Sequence, residues 1–199
     1  MPEELVSRSI ELPSGVLSLL QPQEAAELPD DGPVEWAPVA PYWSVLWRSG
    51  LALARELDGM QLRGRRVVEL GCGLGLPSIA AARAGAEVLA TDACPDALEL
   101  VSRNADANHL RVETATLDWS NPGEPAAQAR FDLVLAADVL YERGSVAPLL
   151  SLLPDLAPEA WVADPGRPAA GAFVEEARRR WSVEERVHDV VHLYQLQLS

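Results

Sequence analysis

An α/β fold built on a doubly wound, seven-stranded sheet with a mostly parallel core is predicted by three observations. From Arg66 onward, short β-rich runs alternate with helix-spaced runs. A loop with Gly at every second position follows directly on the first of those strands. Residues 131–137, Phe-Asp-Leu-Val-Leu-Ala-Ala, are apolar almost throughout, as a central parallel strand buried on both faces should be.

In chain order, residues 5–20 read as a hairpin. Ile10 and Leu12 alternate with Ser9 and Glu11, Pro13-Ser14-Gly15 makes the turn, and Val16 to Leu20 returns. Residues 21–34 carry Pro22, Pro29, Pro33 and the carboxylates Glu24, Glu27, Asp30 and Asp31, which predicts a loop. Trp43, Leu46, Trp47, Leu51, Ala54 and Leu57 follow helical spacing and predict a helix packed on the sheet. A strand at 66–70 then leads to a helix at 77–84 that Pro77 can open. A strand at 86–91 ends at Asp92, and Pro95 starts a helix with Leu98, Val101 and Ala105 on one face. Strand 111–117 closes at Asp118-Trp119, and strand 131–137 follows.

Ser145 can cap a helix bearing Val146, Leu149, Leu150 and Leu153. Strand 160–163 ends in Asp164-Pro165-Gly166-Arg167-Pro168, and the next helix sets Ala170, Phe173, Val174, Ala177 and Trp181 on one stripe. Strands at 182–187 and 189–198 close the sheet, the second alternating Val190, His192, Tyr194, Leu196 and Leu198. The expected organisation is an N-terminal hairpin and helix extension over residues 1–45 and a Rossmann-like domain over 46–199.

A chain of 199 residues, 48% hydrophobic and 23% charged, fits one domain with a sizeable core. Its two cysteines, Cys72 and Cys94, have neither disulfide-scaffold nor metal spacing, which points to a reducing, cytoplasmic compartment. No secretory leader opens the chain and no apolar run reaches about 18 residues, so a soluble protein without a membrane partner is expected. The formal charge of −14 argues against nucleic acid as a partner, because phosphate binding needs a basic surface. A basic or neutral substrate suits it better. All 16 basic residues are Arg, which the base composition of a GC-rich genome explains without reference to function.

The loop Gly71-Cys72-Gly73-Leu74-Gly75 allows a polar ligand to lie against main-chain N–H groups at the mouth of the sheet. A dinucleotide fingerprint would place its third Gly at 76, where Leu76 stands. Glu69, Asp92 and Asp118 would repel a pyrophosphate and attract a sulfonium. Spacing and charge therefore favour S-adenosylmethionine over NAD. Asp92, at the end of the second strand of the sheet, can accept both ribose hydroxyls of an adenosine. The Asp118-Trp119 pair can supply an adenine wall and an edge hydrogen bond, and Trp47 a second wall; either tryptophan would serve equally as plain core.

Four blocks resemble the seven-strand class I methyltransferases, within them the branch called family 16, mostly protein lysine methyltransferases. They are Pro41-Tyr42-Trp43-Ser44-Val45-Leu46-Trp47, Glu69-Leu70-Gly71-Cys72-Gly73-Leu74-Gly75, Leu117-Asp118-Trp119 and Asp138-Val139-Leu140-Tyr141. Asp164-Pro165-Gly166-Arg167-Pro168 also looks like a segment of the enzymes that methylate lysines of the electron-transfer flavoprotein β subunit. The resemblance implies an S-adenosylmethionine-dependent N-methyltransferase whose product is S-adenosylhomocysteine and whose acceptor is a protein lysine. It further implies that Trp47, Glu69, Gly71, Gly73, Asp92, Asp118, Trp119 and the backbone at Ala137 contact the cofactor. Asp138 and Tyr141 would face the acceptor.

An amine attacks a methyl carbon only as the free base, while a lysine in water has a pKa of about 10.4. Burial disfavours the ammonium and the Asp138 carboxylate favours it, so Asp138 reads as a positioning and proton-accepting group. Tyr141 can wall the channel and aim its hydroxyl at the amine.

Arg167 either guides an acidic substrate or pairs with a carboxylate. His188, Asp189 and His192 make a metal site conceivable, but exposed or satisfied histidines explain them better and methyl transfer needs no metal. Two other functions stay open: N-methylation of a small amine or pyridine-type metabolite, and a non-catalytic S-adenosylmethionine-binding module. The Ala137-Asp138-Val139-Leu140 stretch lacks the Asn-Pro-Pro-Tyr type of motif that holds planar amides, which argues against base or glutamine methylation.

Overall fold

The computed structural model describes residues 4–26, 41–119, 130–141 and 143–199. A hairpin of β1 (Leu5–Leu12) and β2 (Gly15–Pro22) comes first, followed by the single helical turn α1 (Gln23–Ala26) and, later, α2 (Arg48–Asp58). The sheet segments are β3 (Arg66–Leu70), β4 (Glu87–Asp92), β5 (Glu113–Thr116), β6 (Leu133–Ala137), β7 (Glu159–Asp164), β8 (Trp181–His188) and β9 (Val191–Leu198). Between them lie α3 (Leu76–Arg83), α4 (Pro95–Ala107), α5 (Val146–Leu156) and α6 (Pro168–Ala177).

Seven strands form one sheet in the order β5-β4-β3-β6-β7-β9-β8, parallel except where β9 runs against β7 and β8. The chain leaves β3 toward one edge and comes back to β6 on its other side. The order therefore reverses between β3 and β6, the place where open α/β sheets bind ligands.

Strand alternation sorts the core into two layers. Val67, Leu133, Leu135, Trp161 and Ala163 pack with Leu53, Leu57 and Ile79 of α2 and α3, while Val68, Val134, Ala136, Ala160 and Val162 pack with Leu149, Leu153 and Phe173 of α5 and α6. Ile10, Leu12, Leu17 and Leu19 of the hairpin join the first layer. Side-chain amides tie the hairpin down as well. Asn108 bonds both backbone groups of Ser18 (2.8 and 2.7 Å), and Asn104 bonds those of Leu20 (2.7 and 3.1 Å) while also donating to Leu74 O at 3.1 Å.

Several elements differ from expectation. The helix expected from Trp43 breaks: Tyr42–Ser44 is a 3-10 turn closed by Ser44 Oγ on Pro41 O at 2.7 Å, Trp47 is extended at φ −78° and ψ 145°, and α2 starts at Arg48. Side-chain competition for the backbone ends the turn before a helix can propagate. The loop expected from residue 21 is strand to Pro22 and helix to Ala26, and its remainder lies outside the described residues. Ser145 caps nothing, because it sits buried in the 3-10 turn Arg143–Ser145 at helical φ −74° and ψ −23° with no side-chain cap bond. Trp181 leaves the helical stripe; α6 ends at Ala177, and Trp181 instead opens β8 opposite Leu198, buried in the same core. Val190 stays out of β9, half exposed beside the left-handed turn at Asp189 (φ 55°).

Candidate active site

A cavity of about 1060 Å³ opens at the carboxyl ends of the parallel strands. Its walls include the β3–α3 loop, Asp92, Trp119, Ala137, Asp138, Tyr141 and Arg167, together with Trp43, Trp47 and Ser49, and Arg8 from the hairpin. Such a volume suits a ligand of cofactor size.

Gly71, Gly73 and Gly75 hold φ of 65°, 50° and 75°, the left-handed region that disfavours a Cβ. Protein atoms also crowd them. A Cβ on Gly73 would stand 2.9 Å from Trp43 O, and one on Gly75 only 2.7 Å from Val101 Cγ2. The third glycine thus lets α4 pack against the loop, and the second lets the tryptophan block close over it.

Glu69 lies under the loop, 1% exposed, and accepts from Ser78 N at 2.9 Å and Ser78 Oγ at 2.5 Å. Burial pushes its carboxyl up to about 8, against the pull of the Ser78 hydrogen bonds and with a smaller push from Asp92. Asp92, the last residue of β4, braces the loop: Oδ2 accepts from Gly73 N at 3.0 Å and Oδ1 from Cys94 N at 2.9 Å. Each oxygen keeps a further lone pair for a ligand hydroxyl.

Trp119 lines the cavity beyond β5, whereas its neighbour Asp118 is exposed and lies outside the lining. Trp47 lines the opposite wall, fixed by Nε1 donating to Tyr42 O at 3.0 Å. Neither tryptophan is buried like core; both are intermediate in exposure, with a face toward the cavity.

At the far end, Asp138 directly follows β6 with φ 60°, its N–H donating to Ala163 O at 2.9 Å. Arg167, just ahead of α6, places Nη1 2.7 Å from Asp138 Oδ1 and 2.9 Å from Asp164 Oδ2, at the end of β7. Asp164 also caps that turn by accepting from Arg167 N at 2.7 Å. Burial raises the Asp138 carboxyl above its ordinary value, and Arg167 restrains the rise. Ser49 of α2 is wholly buried beside Asp138. Tyr141 is 64% exposed at the rim.

The sequence placed Asp164 and Arg167 together just beyond the strand at 160–163. The long-range pairing of Arg167 with Asp138, and the place of the Ser49 hydroxyl beside that carboxyl, carried no signal in the sequence. Of the two roles open to Arg167 the structure shows the carboxylate pairing, with the side chain partly exposed on the cavity lining. His188 instead meets Glu56 at 3.0 Å and His192 meets Glu185 at 2.6 Å, and no group of three or more candidate metal ligands exists among the described residues. Among those residues, no helix is long and apolar enough to cross a membrane.

The sequence matches the lysine methyltransferase family over residues 42–162. It is 32% identical over 165 residues to the protein N-lysine methyltransferase METTL21A of Danio rerio, covering 76% of this chain and 75% of that protein. It is also 32% identical over 141 residues to the electron transfer flavoprotein beta subunit lysine methyltransferase of Mus musculus, covering 67% of this chain but spanning only 54% of the mouse protein. Among solved structures, the Thermus thermophilus 16S rRNA N2 G1207 methyltransferase in complex with AdoMet and guanosine aligns over all of this chain and 52% of its own, with a TM-score of 0.71 at 17% identity. That likeness concerns the fold.

Proposed function

The chain belongs to the lysine methyltransferase family, and we propose from that premise that it is an S-adenosylmethionine-dependent enzyme methylating the side-chain amine of a lysine in a protein. The observation that carries this reading is the pairing of a glycine-loop cavity with a buried carboxylate, Asp138, at its far end. The division at about residue 45 belongs to the same reading, with residues 46–199 carrying the enzyme and residues 1–45 an extension whose hairpin packs onto it. So do a cytoplasmic location and a partner list without membrane or nucleic acid, the last favoured by the charge of −14.

The cofactor fits the residues present. Gly71 and Gly73 would carry its amino-acid end, Asp92 its ribose, Trp47 and Trp119 its base and flank, and the backbone at Ala137 its reacting centre. Glu69 would act from beneath the loop through Ser78 and the main chain. Asp118, exposed outside the cavity lining, is the weakest member of the set. When bound, S-adenosylmethionine supplies a methyl group on a cationic sulfur.

Asp138 orients the incoming amine by accepting an N–H. Arg167 keeps that carboxylate ionised and, as a like charge, opposes protonation of the amine. With the donor bound, its methyl group would pass to the amine lone pair, the C–S bond breaking with its electrons kept on sulfur, so that S-adenosylhomocysteine and a cationic methylamine would result. The surplus proton then passes to Asp138 or to water. Tyr141 screens the mouth. Alignment of nucleophile and methyl supplies roughly 7–11 kcal/mol in such systems.

Incubating a host lysate with labelled methyl donor and sequencing the labelled protein tests the proposal. Label on a lysine supports it. Label on a small amine would favour the metabolite enzyme, and no label at all the binding module.

A further inference from the structure

Arg167 occupies only one oxygen of Asp138. The other, Oδ2, is buried without a hydrogen-bond partner, and so is Ser49 Oγ on the same cavity wall. Ser49 is 0% exposed and the Asp138 side chain 8%. The serine hydroxyl is close enough to favour the ionised carboxyl, yet its geometry falls short of a hydrogen bond. Buried polar atoms in folded proteins are almost always paired, so two neighbouring orphans at a cavity wall await a partner from outside the chain.

Their chemistry defines that partner. A carboxylate oxygen accepts and cannot donate, and a hydroxyl can accept as well. Two adjacent acceptors suit a group that offers two N–H bonds from one nitrogen. A neutral primary amine does so and keeps its lone pair free on the remaining side.

We propose that small side-chain rotations bring Ser49 Oγ and Asp138 Oδ2, both without accessible surface as they stand, to the cavity, where together they receive the two N–H groups of the acceptor lysine, so that Ser49 contacts the substrate and helps turn the amine lone pair toward the methyl donor. This deepens the lysine methyltransferase reading and rests on it. Ser49 reaches the site because α2 begins only at Arg48, which places its first turn at the cavity wall.

The test compares wild type, Ser49→Ala and Ser49→Cys for the rate of lysine labelling in host-lysate protein with tritiated S-adenosylmethionine. The chain itself contains no lysine, so label on lysine comes from the acceptor alone. Ser49→Ala should slow labelling about tenfold, the loss of one hydrogen bond in the transition state, and should do so at every pH. Affinity for S-adenosylhomocysteine by calorimetry should stay within about twofold, and Tm should hold or rise because an orphan hydroxyl is gone. Ser49→Cys, a weaker acceptor, should fall between.

Undiminished labelling, a loss confined to acid pH, or a fall in Tm would overturn the role of Ser49 and leave the enzyme assignment standing. In the first case the hydroxyl has no part, in the second it only tunes Asp138, and in the third it is structural. Absence of lysine labelling by wild type would remove the assignment and this inference with it.

Discussion

Arg167 Nη1 stands 2.7 Å from Asp138 Oδ1, so the carboxylate at the end of β6 is counterbalanced before any substrate arrives. With Asp164 on the same guanidinium at 2.9 Å, the cluster carries one net negative charge when both carboxyls are ionised. An acceptor ammonium is drawn toward it while Arg167 favours loss of its proton.

Replacing Asp138 separates chemistry from cofactor binding. Asp138→Ala should cut methyl transfer by about 10²-fold or more, the scale of a lost acid–base group, while calorimetry finds S-adenosylhomocysteine binding nearly unchanged. A parallel fall in affinity would place Asp138 in the cofactor site instead.

Asp92→Ala acts on the other side of that divide. It removes a charged acceptor and releases the Gly73 and Cys94 amides, so affinity for S-adenosylhomocysteine should drop about 10–100-fold, or about 1.5–3 kcal/mol. Calorimetric titration checks it, and unchanged affinity would refute the assignment.

The pH profile reports on Arg167. On the proposed role, turnover needs Asp138 ionised and should be lost as pH falls through its pKa, which burial already raises. Arg167→Gln removes the countering positive charge, so the acid limb of kcat should move to higher pH. A limb that stays in place would show that another group titrates there.

Glu69 makes a prediction about stability. Its folded pKa of about 8 lies above its ordinary 4.5, so the folded state binds the proton more tightly. The resulting stabilisation is complete below the ordinary value and is lost as pH rises through the folded one. Wild-type Tm should carry this falling component between those limits, and Glu69→Gln should flatten it, as scanning calorimetry across that window would show.

Gly75 tests packing alone. Gly75→Ala meets Val101 Cγ2 at 2.7 Å and a left-handed backbone, and should cost about 1–3 kcal/mol in chemical denaturation. Adding Val101→Ala should recover the steric part and leave the backbone part.

Periodicity made the sheet legible where a parallel strand is a short apolar run followed by a polar residue at its carboxyl end, as with Leu133 to Ala137 ahead of Asp138. It failed at Trp43 to Trp47, where aromatic residues spaced like a helix belong to a turn set by Ser44 and Pro41. It failed again at Trp181, whose apolar character is the same in a helix stripe or at the start of β8. Asp92 and Asp138 were legible from their positions after strands. The pairing of Asp138 with Arg167 was not, since 28 residues that include a 3-10 turn, a helix and a strand separate them in the chain. Ser49 has no pattern of its own, and only burial without a partner distinguishes it.

The amides of Asn104 and Asn108 imitate a neighbouring strand along β2, each engaging an N–H and a C=O of one residue. That margin of the hairpin is thereby closed to strand exchange between molecules, a common start of aggregation. Because Asn104 also holds Leu74 O, the same contact couples the first strands of the chain to the cofactor loop. Loosening the hairpin would therefore be felt as slackness where the methyl donor is to be gripped.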